Sequence, residues 1–347
     1  MQALILAGGK GTRLRPLTVY TPKPIVPLGN RPFLLSQIEN LKRAGITDIT
    51  LSLNYQPDKI EQLLDDGLEY GVHLRYLTEP TPMGTAGAYK YADENLRETT
   101  VVLNGDILTD LDLNGVVKKH KERGALATIV LTPVGDPTAY GLVETEDNGR
   151  IRRFLEKPKA EQLAELSTNM INAGIYVLEP EVLEMIPTGE SYSFEYNLFP
   201  DLLKRETLFF ADVQPSAYWL DIGTPARYIQ AHHDLLAGKI HNLSFEQQRE
   251  TADVSHTAEI DERSLIAENC VIKPGAQIIN SVLGTGVYVE EKAIIENSVI
   301  WAHTRVNTNA NVNNAVIGRG CHIGRFATVR SGAVLGDKTS LTDYTQV

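Results

Sequence analysis

Ser264-Leu265-Ile266, Ser281-Val282-Leu283, Ser298-Val299-Ile300 and Ala315-Val316-Ile317 recur at an interval of 17 residues, and this recurrence decides the architecture of the C-terminal part of the chain. Around it, aliphatic residues return every six positions: Val254, Ile260, Ile266, Ile272 and Ile278; Leu283, Val289 and Ile295; Ile300, Val306 and Val312; then Ile317, Ile323, Val329, Leu335 and Leu341. The three breaks in phase are five residues each. A helical face cannot hold a six-residue spacing over this length, whereas a triangular coil with one short strand per side requires it. Asn280, Asn297 and Asn314 share a register, one per coil, and at the roughly 4.8 Å strand spacing are expected to form an amide ladder. Cys270 and Cys321 also share a register, three coils apart. That is roughly 14 Å, beyond the about 7 Å between Cα atoms that a disulfide spans.

The pattern resembles the left-handed β-helix of hexapeptide-repeat proteins, with one corner shortened by a residue in the middle coils. Before about Gly238 the grammar differs. Short β-branched runs alternate with amphipathic segments, as strands and crossover helices do around a largely parallel sheet. Ala3 to Leu6, Ile49 to Leu53, His73 to Leu77, Val101 to Leu103 and Ala125 to Leu131 are expected strands. Leu34, Ile38, Leu41 and Ala44 fall on one helical face, with Gly45 as its stop. After Val143 the strands come closer together, which points to a mixed sheet there. Residues 1–240 are thus expected to form an α/β domain and residues 250–347 the coil.

Composition narrows the functions. With 44 acidic and 33 basic residues the formal charge is −11, opposite in sign to what a phosphate-backbone binder needs, so nucleic acid is not expected as a partner. No run approaches the roughly 18 to 20 apolar residues needed to cross a bilayer, and Met1-Gln2-Ala3-Leu4-Ile5-Leu6 enters a motif without a basic leader. A soluble, cytoplasmic protein without membrane partners is expected. Two cysteines make neither a disulfide framework nor a zinc site.

The first strand runs into Gly8-Gly9-Lys10-Gly11-Thr12-Arg13, followed by Leu14-Arg15-Pro16-Leu17-Thr18 and Pro22-Lys23-Pro24. Glycines after a strand let backbone N–H groups approach phosphates, and Arg13 and Lys23 can neutralise charge there. The spacing is neither that of a Walker A loop nor that of the dinucleotide fingerprint.

The string from Leu6 to Thr18 with Pro22-Lys23-Pro24 resembles the signature loop of sugar-1-phosphate nucleotidyltransferases, and the resemblance covers essentially the whole chain. Further matches follow in family order: Glu79-Pro80 leading to Gly84-Thr85-Ala86-Gly87, Asn104-Gly105-Asp106, Tyr140-Gly141-Leu142-Val143, Phe154-Leu155-Glu156-Lys157-Pro158, Asn172-Ala173-Gly174-Ile175-Tyr176, and Trp219-Leu220-Asp221-Ile222-Gly223-Thr224-Pro225. The resemblance implies a Rossmann-like domain with a mostly parallel sheet, acting on a nucleoside triphosphate and a sugar 1-phosphate. A phosphate oxygen of the sugar attacks the α-phosphorus in line and pyrophosphate leaves. That nucleophile is ionised at neutral pH, so positioning and charge neutralisation suffice without a general base.

The resemblance also distributes roles. Asp106 and Asp221 would hold Mg²⁺, for which two carboxylates plus triphosphate oxygens and waters make a suitable shell. Arg13 would meet the leaving phosphates, Lys23 the α-phosphate and Lys157 the sugar phosphate. Leu6, Ala7, Gly8, Gly9, Gly11, Thr12, Glu79, Gly84 and Thr85 would bind the nucleotide. Asn104, Gly105, Gly141, Glu156, Asn172 and Gly174 would bind the sugar phosphate.

Guanine presents adjacent N1–H and N2–H₂ donors that the Glu79 carboxylate could accept together, whereas uracil and thymine flank one N–H with carbonyl oxygens. Phe194-Glu195 before Phe199-Pro200 and the short coil lean the same way, towards mannose-1-phosphate guanylyltransferases. Glu79-Pro80-Thr81-Pro82-Met83-Gly84 is instead spaced like the thymidylyl enzymes' loop, and Tyr192-Ser193-Phe194-Glu195 departs from the usual Ser-Ile-Glu. A glucose-1-phosphate uridylyl- or thymidylyltransferase, and a catalytically silent sugar-nucleotide-binding regulatory subunit, stay open as alternatives. A second, acyl-transfer activity is not expected, because no arm loop interrupts the repeat beside His303 or His322. His232 and His233, on the last predicted helix, are read as surface residues. Open coil ends expose unpaired backbone, so the coil is expected to pack on the catalytic domain or to make a homo-oligomer.

Overall fold

The computed structural model describes residues 1–163, 168–243 and 251–347. In chain order the elements ahead of the coil are β1 (Gln2–Leu6), β2 (Pro27–Leu28), β3 (Arg31–Pro32), α1 (Phe33–Arg43), β4 (Asp48–Leu53), α2 (Pro57–Leu64), β5 (His73–Thr78), α3 (Gly84–Tyr91), β6 (Thr100–Asn104), β7 (Ile107–Thr109) and α4 (Leu113–Glu122). They continue with β8 (Ala127–Pro133), β9 (Gly141–Thr145), β10 (Ile151–Glu156), α5 (Ala160–Leu163), β11 (Met170–Leu178), α6 (Phe199–Lys204), β12 (Phe209–Val213), β13 (Trp219–Asp221) and α7 (Pro225–Leu236). Two compact units divide the chain: Met1–Gly9 with Gln37–Trp219, and Lys10–Ser36 with Leu220–Val347. No helix among the described residues is long and apolar enough to cross a membrane.

The first unit is built on a sheet of order β10-β9-β11-β6-β1-β4-β5, with β8 on β11 and β12 on β8. β6, β1, β4 and β5 are mutually parallel. Ala3, Leu4 and Ile5 of β1 are all fully buried, as a strand covered on both faces should be. Beyond β6 the sheet turns antiparallel, where the sequence spacing predicts mixing. β11 pairs with β6, β8 and β9, and its register on β8 shifts between Asn172 and Tyr176. Gly174 sits in that irregularity at φ +71, a backbone state that favours glycine.

Phe154, Tyr176, Phe194, Phe199 and Phe209 interlock below β11, with ring centroids 5.0 to 5.6 Å apart. In α1, Leu34, Ile38 and Leu41 are fully buried. The helix stops at Gly45, φ +73, where the Ile46 N–H returns to the Leu41 carbonyl at 3.0 Å. The expected strands are present, with ends one or two residues away: the run read as Ala125 to Leu131 pairs from Ala127 to Pro133, because Ala125 and Leu126 still belong to the turn after α4.

The second unit carries the coil. Sixteen two- or three-residue strands from Asp253–Val254 to Ser340–Leu341 form parallel sheets of six, five and five strands. Along the six-stranded side the register runs Asp253, Val271, Tyr288, Arg305, His322, Ser340. The inner coils are therefore 17 residues long and the outer ones 18. The six-step aliphatics from Ile266 to Val329 are buried, whereas Val254, Ile260, Leu335 and Leu341 at the ends are partly or fully exposed.

Two features of the repeat become physical here. Ser264, Ser281 and Ser298 form a buried spine in which each hydroxyl accepts the next coil's N–H at 3.0 to 3.1 Å, ending on Ala315, which only has to donate. The corners lie in the left-handed region: Asn280, Asn297 and Asn314 have φ of 46, 51 and 43, and His303, Phe326 and Tyr344 also occupy it. The amide ladder is thus a corner first and a ladder second. Asn280 Nδ2 donates to Asn297 Oδ1 at 2.7 Å, but Asn314 donates to Ser331 Oγ, because the residue 17 positions on is a serine and no asparagine follows. Cys270 and Cys321 are buried free thiols.

One side of the coil is covered from within its own unit. Val282, Val299 and Val316 alternate with the inward residues and so face outward, yet they are buried. β2 and β3 form a hairpin whose Asn30 amide donates to the Leu283 carbonyl at 2.9 Å, and His233 of α7 meets the Asn297 carbonyl at 3.0 Å. His232 is fully buried, which corrects its reading as a surface residue. Tyr228, His232 and Leu235 fall on the same inward stripe of α7, so the apolar face carries an imidazole.

Candidate active site

In the first unit the carboxyl ends of β1 and β6 lie side by side, where ligands of open α/β sheets collect. The Gly105 N–H donates to the Leu6 carbonyl at 2.9 Å, and a Cβ on Gly105 would fall 2.7 Å from that oxygen, so the turn after β6 demands glycine. Asp106, half-buried, occupies this turn between β6 and β7. Ala7 is tied to Ser52 of β4 by a 2.8 Å backbone bond. A Cβ on Gly8 would come within 3.1 Å of Glu79 Oε1, whereas at Gly9 it would meet no described atom within 4 Å.

Glu79 is anchored on both oxygens. Ser52 Oγ donates to Oε1 at 2.9 Å and the Met83 N–H to Oε2 at 3.0 Å, which holds the carboxylate at the start of α3. Gly84 and Gly87 let the backbone around Tyr192 dock on α3: their Cβ atoms would fall 2.6 Å from the Tyr192 carbonyl and 2.8 Å from that of Glu190. The Thr85 hydroxyl serves the same segment, accepting from the Phe194 N–H and donating to Glu195 Oε2 at 3.0 Å.

A second cluster gathers on β9, β10 and β11. Glu156 pairs with Gly141 across β9 and β10, and a Cβ on Gly141 would lie 2.7 Å from Glu156 Oε2, so the carboxylate rests on bare backbone. Burial, then the charge of Glu195, pushes the Glu156 carboxyl above its usual range, against the pull of Lys157. The Lys157 ammonium is 3.8 Å from Glu156 Oε1 and its side chain is 61% exposed, so this pair is weak and the cation is available to an anion. Lys157 itself is held at φ +45.

Asn172 accepts the Gly174 N–H at 2.9 Å and donates to the Tyr176 hydroxyl at 3.0 Å, which donates in turn to Glu195 at 3.4 Å. Asn104 lies against Gly174, where a Cβ would be 2.6 Å from its Nδ2, and its buried Oδ1 has no partner among the described residues. Trp219 donates to the Ala173 carbonyl at 2.9 Å and packs edge-on to Tyr140 at 5.5 Å. Glu195, Tyr176, Trp219 and Tyr140 all lie within quoted motifs, yet the sequence reading gave none of them a role. An acidic residue two positions beyond a serine whose hydroxyl it then shares, as Glu195 does with Ser193, is the signal that was there to find.

The second unit holds the rest of the expected set. Gly11, φ +60, is packed beneath Lys23 and Thr18, and its carbonyl accepts the Thr18 hydroxyl at 2.7 Å. Lys23 is buried in a single 3-10 turn, Lys23–Ile25, while Thr12 and Arg13 are exposed. Asp221 is buried and ion-paired with Arg227 of α7. A Cβ on Gly223 would lie 2.8 Å from Arg13 Nη2 and 3.0 Å from Asp221 Oδ2, so a guanidinium and a carboxylate flank one backbone atom.

Among the described residues no three or more His, Cys, Asp or Glu side chains cluster to hold a metal. The carboxylate of Asp106, and separately that of Asp221, is a hard oxygen donor of the kind that oxygen-preferring divalent ions accept.

Comparison with known proteins agrees with this arrangement. Residues 2–238 match the family model described as nucleotidyl transferase, and residues 245–347 that of the EIF2B subunit epsilon LbH (left-handed β-helix) domain. A mannose-1-phosphate guanylyltransferase of Mycobacterium tuberculosis is 35% identical over 303 residues, covering 85% of this chain and 83% of that protein. A mannose-1-phosphate guanyltransferase of Saccharomyces cerevisiae is 39% identical over 272 residues, covering 77% and 71%. A crystal structure of a Bacillus anthracis protein assigned as a glucose-1-phosphate thymidylyltransferase superposes with a TM-score of 0.62 at 25% identity, over 71% of this chain and 98% of that one. The family acts on nucleoside triphosphates and sugar phosphates and generally uses divalent metal ions. Glycine loop, parallel strand ends and repeat coil thus converge with the relatives: the chain belongs to the nucleotidyl transferase family.

Proposed function

We propose that the chain transfers a guanylyl group from GTP to mannose 1-phosphate, giving GDP-mannose and pyrophosphate. The observation that carries the chemistry is the Gly223 turn, where Arg13 and Asp221 approach the same backbone atom. A cation for the leaving phosphates and a carboxylate for a divalent ion are both needed at the α- to β-phosphate bond as it breaks. The choice of guanine and mannose follows the relatives and the carboxylate of Glu79 at the start of α3.

Residues 1–240 form the catalytic domain in this reading and residues 250–347 the coil, residue 250 itself lying outside the described residues. Leu6, Ala7, Gly8, Gly9, Gly11 and Thr12 offer backbone to the triphosphate, with Gly84, Thr85 and Glu79 towards the base. Arg13 neutralises the departing pyrophosphate and Lys23 the α-phosphate. Lys157, with its exposed ammonium, receives the sugar phosphate near Asn104 and Gly105. Glu156 and Asn172 accept and donate to sugar hydroxyls over the bare backbone of Gly141 and Gly174. Asp106 and Asp221 would hold Mg²⁺, which when bound supplies Lewis-acid polarisation of the α-phosphate. The sugar phosphate is its own nucleophile, so no side chain has to take a proton. The protein is cytoplasmic in this reading and homo-oligomeric through the coil.

A matrix of triphosphates against sugar 1-phosphates, read as kcat/KM from pyrophosphate release, tests the assignment. GTP with mannose 1-phosphate is expected to exceed each other pair by about 100-fold or more, a difference of about 2.7 kcal/mol. Preference for dTTP or UTP with glucose 1-phosphate would support the reading that the Glu79–Gly84 spacing favours. Binding without turnover would identify a silent regulatory subunit.

A further inference from the structure

In the second unit, a connected set of buried polar contacts runs from the coil to the segment that carries Lys23. Trp301, on a coil strand end, is 1% exposed, and its indole N–H donates to the Tyr228 hydroxyl at 3.0 Å. Tyr228, fully buried on α7, donates that hydroxyl to the Pro27 carbonyl. A buried indole N–H requires an acceptor, and a hydroxyl that already accepts from it has its own proton aimed elsewhere. Trp301 therefore sets the direction of the Tyr228 proton. The Arg319 guanidinium lies over the Trp301 ring, 5.7 Å from its centroid.

Pro27 opens the β2–β3 hairpin, whose turn residues Gly29 and Asn30 both have positive φ, 54 and 68, as a two-residue hairpin turn requires. Two more bonds fasten the tip: Gly29 N–H to His232 Nε2 at 3.4 Å, and Asn30 Nδ2 to the Leu283 carbonyl at 2.9 Å. Upstream, Pro22, Pro24 and Pro27 fix the backbone dihedral at three positions within six residues. The Val26 N–H closes on the Lys23 carbonyl at 3.2 Å. A displacement at Pro27 is thus transmitted to Lys23, since little backbone freedom separates them. On the other flank of the same loop, the bare backbone of Gly336 receives Pro16, whose Cβ would be 3.0 Å from a Cβ there.

The geometry points to Tyr228 as a positioning residue: its hydroxyl, oriented by Trp301 of the coil, holds Pro27 and through it the placement of Lys23. The coil is in that case part of the apparatus that handles the triphosphate. This rests on the proposed role of Lys23 at the α-phosphate.

Tyr228→Phe keeps the ring and deletes only the hydroxyl, whereas Trp301→Phe removes the donor that orients it together with part of the buried ring. With GTP, mannose 1-phosphate and Mg²⁺, at a temperature below each variant's melting transition, Tyr228→Phe is expected to lower kcat about tenfold while KM for mannose 1-phosphate stays within about twofold. Trp301→Phe should fall between it and wild type. In a Lys23→Met background the further change Tyr228→Phe should cost almost nothing, because the hydroxyl acts through that lysine. Hydrogen exchange of the amides from 25 to 30 should quicken about tenfold in Tyr228→Phe, with or without substrate. A lower melting temperature with unchanged kcat, or losses that multiply in the double variant, would overturn the inference. If wild type releases no pyrophosphate with any pair, the proposed function fails instead. Exchange then decides alone, and unchanged exchange in the hairpin overturns the clamp.

Discussion

Replacing Gly223 with alanine separates stability from catalysis. The glycine has no positive φ, so the backbone accepts a side chain; the obstacle is the pair of groups flanking it. The new Cβ would lie 2.8 Å from Arg13 Nη2 and 3.0 Å from Asp221 Oδ2. Asp221 is fastened to Arg227, whereas the Arg13 side chain is exposed and long, so the guanidinium is the group that gives way. Restoring ordinary contact moves it by about 0.6 Å, and a 1 Å misplacement costs about 100-fold in rate. About a tenfold fall in kcat is therefore expected, roughly 1.4 kcal/mol of transition-state stabilisation. Since the displaced atoms are the end of a flexible side chain, the melting temperature should stay within about 3 °C of wild type. Pyrophosphate release at saturating substrates, with a thermal melt of the same preparation, measures both. An unchanged kcat would refute the argument that the Arg13 guanidinium at Gly223 works on the leaving group, and a collapsed melting temperature would show that the backbone, not the guanidinium, had yielded.

Gly9→Ala tests close approach of the triphosphate. No described atom lies within 4 Å of the added Cβ, so stability should change by less than about 0.5 kcal/mol while KM for GTP rises about tenfold; an unchanged KM would remove Gly9 from the phosphate loop. Gly174→Ala places a side chain at φ +71 and 2.6 Å from Asn104 Nδ2. Left-handed strain alone costs about 1–2 kcal/mol, so the urea midpoint should fall with the slope unchanged. His232 gives a pH signature. Burial, the first cause, holds its imidazole down from 6.5 to about 4. The unfolded chain therefore takes up a proton that the folded one refuses, and stability falls as pH drops from about 6.5 to about 4, by at most about 3 kcal/mol. Urea unfolding across that range should show a steeper slope in wild type than in His232→Gln, the remainder coming from groups such as the buried His120, whose imidazole burial also holds low; an equal slope in both would place the titration elsewhere.

The coil was legible because each inward position must be aliphatic, and a six-residue recurrence has no competing explanation. Its corners were half legible. Asparagine at Asn280, Asn297 and Asn314 hints at left-handed backbone, but His303, Phe326 and Tyr344 occupy that state with side chains that give no such hint. The parallel block could be read from apolar runs such as Val101-Val102-Leu103. The bulge at Gly174 depends on β11 changing partners, which local sequence does not record.

Candidate site residues could be picked out by motif, yet the contacts that orient them could not. Arg227, which pairs with Asp221, and Thr85, whose hydroxyl holds Glu195, act through partners distant in sequence or hidden on a helix face. His232 was misread for the same reason: polarity was taken to mean exposure, although its spacing from Tyr228 and Leu235 already put it on the buried stripe.

The serine spine makes the inner coil a unit of length for the gene. An insertion of 17 codons inside the repeat adds a coil in register and a deletion of 17 removes one with its spine residue, so the remaining spine stays bonded and every sheet gains or loses one rung. A length that is not a whole coil of 17 or 18 residues shifts all three ladders at once, so viable length variants of this segment should differ by whole storeys.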